Sequence, residues 1–158
     1  MGITSQKPSG FLRWAFRAPI ALYRLGLGWL ITSHFLMLTT TGRNSGKPRR
    51  AVIEVICHDR ATNTYVIAAG WGAKSDWYRN ILKTPQVCVD VGFRRFRAIA
   101  ETLPVETAVS MIADYARRFP FPFRQLAKFM TGRLMTGTME ECVHLANSAP
   151  LVALKPLK

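Results

Sequence analysis

Short runs in which apolar and β-branched residues mix with polar ones fill the middle of this chain, and each run closes on a turn. Phe35–Thr41 is the first, and Arg49–His58, built around Val52, Ile53, Val55 and Ile56, reads as its returning strand. Between them Gly42–Pro48 contains Asn-Ser-Gly-Lys-Pro, the residue types that turns demand. Asp59–Asn63 is a second turn, and Thr64–Ala69 a third strand. The Gly70–Lys74 loop then leads into a helix that Ser75 is placed to cap and that runs to Lys83, where Thr84-Pro85 stops it. Gln86–Val91 and Phe93–Glu101 are two more strands hinged at Gly92.

Past residue 104 the period changes. Val105, Ala108, Val109, Ile112 and Ala116 recur at helical spacing and predict a helix with one buried stripe, ended by Pro120 and Pro122. Phe123–Met130 predicts a further helix closed by Gly132. Thr138 and Glu141 form a capping box that starts another, reaching Asn147, and Leu151–Leu154 is a last strand. About six strands joined mostly by short connections, with helices inserted late, argue against a doubly wound parallel sheet. The pattern predicts an α+β fold: a small antiparallel β-barrel with peripheral helices, over residues 35–158.

Residues 1–34 read differently. Phe11–Ala18 and a stretch opened by Pro19 predict two short helices that cap the barrel or pack on it. The mix of aromatics and cations in Phe11–Arg17 also suits a membrane interface. Leu25–Leu38 falls short of the roughly 18–20 apolar residues of a spanning helix, and no cleavage site follows a charged leader. The expected location is the cytoplasm, with peripheral contact at the inner membrane surface as the variant.

The chain has 158 residues, 49% of them hydrophobic, enough for one domain with a real core. Lys and Arg number 22 against nine acids, so the formal charge is +13. Such a surplus attracts an anionic cofactor, an acidic membrane or nucleic acid. Nucleic acid is disfavoured because the aromatics form no evident stacking platform. Three scattered cysteines and three scattered histidines supply neither a disulfide framework nor a local metal-ligand run, and no catalytic nucleophile signature is present.

Two segments carry the chemistry. In Thr39-Thr40-Thr41-Gly42-Arg43-Asn44-Ser45-Gly46-Lys47-Pro48-Arg49-Arg50, glycines allow a tight turn while Arg43, Lys47, Arg49 and Arg50 surround it with charge suited to phosphate oxygens. The spacing does not fit a P-loop. In Ala68-Ala69-Gly70-Trp71-Gly72-Ala73-Lys74-Ser75-Asp76-Trp77-Tyr78-Arg79-Asn80, backbone amides flanking Trp71 can approach an anion, and a helix start points at the loop. Trp77 reads more readily as a core anchor than as a ligand contact, and Asp76 as a helix-start stabiliser.

Both segments in this order, ending in Trp-Tyr-x-Asn-Ile and a proline, resemble the deazaflavin-dependent nitroreductases, also described as coenzyme F420-dependent quinone reductases. The resemblance runs from about Phe35 to Gly92 and extends more weakly to the N-terminal helices and the Pro-flanked C-terminal strand. It implies a split β-barrel related to flavin-binding oxidoreductases, an anionic deazaflavin (coenzyme F420) as cofactor with FMN as the alternative, and a homodimer. It also implies hydride transfer to a small hydrophobic, electron-poor acceptor such as a quinone or a nitroaromatic. Arg43, Asn44 and Arg49 then fall at phosphate-binding positions, with Thr41, Lys47 and Lys74 nearby. Val52, Ile53 and Glu54 fall where the ring packs, and Ala68, Ala69, Gly70, Trp71 and Gly72 approach its polar edge or the phosphate through the backbone, beside Trp77. Asn44 stands where familiar members carry Lys or Arg, and Trp71 where some carry lysine. The substrate-facing tyrosines of some members are replaced by Phe119, Phe121, Phe123 and Phe129. No protein catalytic group and no metal is required, since the cofactor carries the chemistry. The rival to an enzyme is a non-catalytic lipid- or lipophile-binding protein at a membrane surface.

Overall fold

The computed structural model describes residues 34–158, so the two helices expected before His34 lie outside the described residues. Six strands form a closed barrel in the order β1-β2-β3-β6-β5-β4, with every neighbouring pair antiparallel. They are β1 (Phe35–Thr41), β2 (Pro48–Asp59), β3 (Thr64–Ala68), β4 (Gln86–Val91), β5 (Arg94–Thr102) and β6 (Leu151–Pro156). Helix α1 (Asp76–Lys83) separates β3 from β4, and α2 (Val105–Arg118), α3 (Pro120–Thr131) and α4 (Met139–Ser148) separate β5 from β6. This is the α+β barrel with peripheral helices that the patterning predicts.

Strand alternation divides the apolar residues between two cores. Leu36, Leu38, Ile67, Val89, Val152 and Leu154 point inward and fill the barrel. Ile56, Val66, Leu151 and Ala153 point outward and meet Ile112, Phe123 and Leu145 from the helices. β6 is buried on both faces, which explains why Leu151–Leu154 is continuously apolar rather than alternating. Burying each large side chain stabilises the fold by about 1.5–3 kcal/mol. A β-bulge between Val55 and Cys57 adds one residue to β2, so that Ile56 and Cys57 both face the helices.

The helix ends depart from expectation in three places. Ser75 occupies the N-cap position of α1 but makes no side-chain cap bond; its Oγ is buried without a partner. Pro120 does not merely stop α2. It opens α3 three residues earlier than predicted, because a first-turn proline needs no partner for its missing N–H. Phe119 thereby caps both helices. Val105, expected in the buried stripe of α2, is 41% exposed, and Tyr115 joins Ala108, Ile112 and Ala116 in its place. The predicted capping box of α4 is present: Glu141 N–H donates to Thr138 Oγ1 at 3.3 Å, and the Glu141 carboxylate accepts from the Thr138 amide at 3.0 Å.

Candidate functional site

The β1–β2 turn closes through Gly42 N–H to Lys47 C=O and Gly46 N–H to Gly42 C=O, both 2.8 Å. Gly46 has φ +66°, the left-handed region that glycine enters without a Cβ penalty. Gly42 is required for a different reason: a Cβ there would meet Ser45 Oγ at 2.7 Å and Lys47 O at 3.1 Å. The turn is anchored from below by Asn80 of α1, which is 2% exposed. Asn80 Nδ2 donates to Thr40 Oγ1 at 3.0 Å, while its Oδ1 accepts from the Arg43 amide at 3.1 Å and from Arg43 Nη1 at 3.2 Å. Arg43 Nη2 reaches Asp76 at 3.2 Å, and Lys83 Nζ donates to the Arg43 carbonyl at 2.7 Å. Asp76 directly follows the glycine loop, so this pair places the two chemistry-bearing turns side by side at one end of the barrel.

The cations of the turn therefore have different duties. Arg43 spends its guanidinium on Asn80 and Asp76, holding the turn in shape. Lys47 and Arg49 are exposed and form no ion pair with a described acid. Asn44 is exposed at the tip of the turn, and Thr41 is half-buried at the last paired step, opposite Pro48.

The glycine loop is more self-contained than its sequence suggests. Ala69 N–H donates to Pro150 O, and the amides of Gly72, Lys74 and Ser75 bond within a short 3-10 turn. These four amides are committed inside the protein and do not serve an anion. Gly72 has φ +55°, and a Cβ there would lie 2.7 Å from the Ser148 carbonyl, so glycine lets the loop sit on the end of α4. Gly70 packs over Met130 of α3, and Trp71 meets Phe129 edge-on at 5.7 Å. Trp77 packs against the inner core, in line with its reading as an anchor.

Between the two turns runs an edge of β2 that no described strand covers. β3 ends at Ala68, one step beyond the Val55–Ile67 pair, so among the described residues β2 from Pro48 to Ile53 has a strand partner on its β1 side alone. The Val55 amide donates to His34 O, on the β1 side. By the alternation of an antiparallel ladder, the backbone groups of Arg50 and Val52 then face the open side. From Arg49 to Glu54 the strand covers about 17 Å at ~3.3 Å per residue. At the inner end Tyr115 Oη, from α2, donates to Glu54 Oε1 at 2.5 Å. Burial raises the Glu54 pKa, opposed by the Tyr115 hydrogen bond and by His34. Burial and the neighbouring carboxylate hold the Tyr115 phenol well above its usual range. Tyr115 also lines a small apolar cavity of about 30 Å³ with Ile56, Ala68, Phe123 and Met130. Of the phenylalanines that replace the family's tyrosines, Phe123 is in the wall of this cavity, Phe129 packs on Trp71, and Phe121 is 70% exposed.

The structure puts Lys47 and Arg49, both exposed, at the turn end of β2, Val52 and Glu54 on the outer face of that strand, and Ala68, Gly70 and Trp71 at the end of β3 and in the glycine loop. It sends Ile53 and Ala69 into the inner core, on the far side of the sheet. Sequence reasoning missed Asn80 and Tyr115. A buried asparagine within a helix is the signal that could have exposed the first, since Asn is a poor helix former unless its amide is employed. The second lies at helical spacing from Ile112, carrying a hydroxyl into an otherwise apolar stripe.

Exposed cations at one end, an unpaired strand edge in the middle and half-buried walls at the other end fit a phosphate-bearing chain attached to a flat ring. The closed six-stranded barrel with helices over one flank is similar to the fold of several solved structures. It is shared with an F420-H2 dependent reductase (FDR-A; 21% identity, covering 77% of this chain and 94% of that one, TM-score 0.52). A pyridoxamine 5'-phosphate oxidase-related, FMN-binding protein from Nostoc punctiforme has it too (15%, 97% and 82%, 0.55), as does HutZ, the heme storage protein from Vibrio cholerae (17%, 87% and 91%, 0.52). No curated protein matches the chain. The profile of the F420H(2)-dependent quinone reductase family matches residues 22–125, and the chain belongs to that family. It is accordingly an oxidoreductase with coenzyme F420 as its cofactor.

Proposed function

We propose that this enzyme uses reduced F420 to deliver a hydride to a small, hydrophobic, electron-poor acceptor, a quinone or a nitroaromatic compound. The observation that carries the reading is the pair Lys47 and Arg49, exposed and without an acidic partner among the described residues, at the mouth of a site whose β2 edge no described strand covers. Lys47 and Arg49 hold the phosphate and acidic tail; Arg donates two parallel hydrogen bonds to phosphate oxygens. Arg43 keeps the turn in place through Asn80 and Asp76 rather than gripping the ligand. The β2 edge at Arg50 and Val52 offers backbone groups to the polar rim of the ring. When bound, the cofactor supplies the two-electron hydride chemistry. Trp71 and Phe129, packed edge-on, give the acceptor an apolar wall and keep bulk water from the reacting atoms.

Titration of tryptophan fluorescence with F420, FMN and NADP tests the cofactor assignment. Saturable quenching by F420 at micromolar levels, with weaker response to FMN and NADP, is expected. Arg49→Ala should weaken F420 binding roughly 10- to 100-fold, the loss of charge-assisted hydrogen bonds. Unchanged affinity in that variant would place the phosphate elsewhere.

A further inference from the structure

Reduction of a quinone by hydride needs one proton as well, and the inner end of the site contains a carboxyl group placed to supply it. We infer that Glu54 is the general acid of the reaction and that Tyr115 is the positioning residue that aims it. This inference rests on the proposed reductase function and names a role at the same site.

The geometry is specific. Glu54 projects from the outer face of β2, two residues beyond Val52 and beside the end of β3 at Ala68. Tyr115 Oη occupies Glu54 Oε1 at 2.5 Å and is the only described side chain hydrogen-bonded to that carboxyl, so Oε2 is left for a ligand. Tyr115 is itself 7% exposed and fixed among Ile112, Phe123 and Ala116, with Phe119 against its ring at 5.5 Å. A phenol held this firmly locks the carboxyl rotamer. Two groups face Glu54 from the elements packed on it, His34 before β1 and Tyr115 from α2. Burial outweighs both and raises its pKa, which keeps a protonated fraction at higher pH than an exposed glutamate would.

The step balances as follows. A bound reduced deazaflavin would supply the hydride, two electrons with one hydrogen, and one quinone oxygen would be left with the displaced electron pair. That oxygen forms a bond to the Glu54 Oε2 proton as the Oε2–H bond breaks. Glu54 becomes a carboxylate, still hydrogen-bonded by Tyr115, and regains its proton from water.

The test uses wild-type protein, Glu54→Gln and Tyr115→Phe, with F420 and the quinone menadione. F420 affinity by fluorescence is read in each variant to separate binding from turnover, and at saturating F420 kcat for menadione should fall roughly 10²-fold in Glu54→Gln, the lower range for loss of a general acid. Wild-type kcat should decline as pH rises through the raised Glu54 pKa; in Glu54→Gln this limb should vanish, and in Tyr115→Phe it should move. A second readout needs no cofactor. Infrared spectra of the free protein across a pH series should show a protonated-carboxyl stretch that persists above the ordinary glutamate range, is absent in Glu54→Gln and is shifted in Tyr115→Phe. Wild-type kcat in Glu54→Gln, or no such band, overturns the inference. A wild-type protein that binds no F420 refutes the cofactor reading instead, and the infrared band still decides the protonation of Glu54. Should Glu54→Gln fold poorly, Tyr115→Phe carries the same comparison: an unmoved pH limb and an unshifted band count against the pairing.

Discussion

At the mouth of the site Lys47 and Arg49 stand in water with no described acid paired to them; at its inner end Glu54 and Tyr115 share a short hydrogen bond in half-buried surroundings. The mouth works by net charge, which is long-ranged and sensitive to salt. The inner end works by desolvation, which is short-ranged, shielded from salt and strongly dependent on pH. A single ligand with a charged arm and a neutral reacting ring would need both environments, one to capture and one to react. β2 alone connects them.

That contrast can be broken most severely through the foundation of the mouth. Asn80→Ala strips the support from Thr40 and Arg43 together. It should destabilise the protein by about 2–3 kcal/mol, since buried polar groups lose their partners. Urea titration measures this, and the inner end should keep its infrared signature in the folded fraction. Next comes the pair of glycines. Gly42→Ala forces a Cβ against Ser45 and Lys47 and should cost about 1–3 kcal/mol. Gly46→Ala meets open space and pays the left-handed backbone penalty alone, about 1–2 kcal/mol. Thermal melts of the two variants should rank in that order, and F420 affinity should suffer more in Gly42→Ala.

The smallest effect concerns pH and stability. Asp90, like Glu54, has its pKa raised by burial, against the pull of Arg95 and Arg50. A carboxyl that binds its proton more tightly when folded contributes its stability below the ordinary carboxylate range and loses it as pH rises through the raised value. Asp90→Asn should therefore flatten the loss of stability on the alkaline side of that window, as read from urea midpoints across pH. An unchanged profile would mean that Asp90 titrates as an exposed group.

The barrel was legible in the sequence because each strand carries its own signal: alternation, β-branching and a turn at each end. Boundaries at β1, β4 and α2 follow directly from local chemistry. The site was legible as two segments but not as a division of labour. Arg43 and Arg49 look equivalent along the chain, and only the packing of α1 beneath the turn gives one an internal partner and leaves the other in water. The glycine loop misled for a related reason. Its amides look available in sequence, yet the return of the chain at Pro150 and the loop's own 3-10 turn consume them. Tyr115 and Glu54 are 61 residues apart, and no local pattern could join them.

β6 lies between β3 and β5 in the barrel but is made after three helices have followed β5. During synthesis β3 and β5 must wait, edges bare, while α2, α3 and α4 emerge, a delay on the order of seconds at ordinary elongation rates. A nascent chain halted before Leu151 would thus expose two sticky strands, and would be a natural client for chaperones before it could be an enzyme.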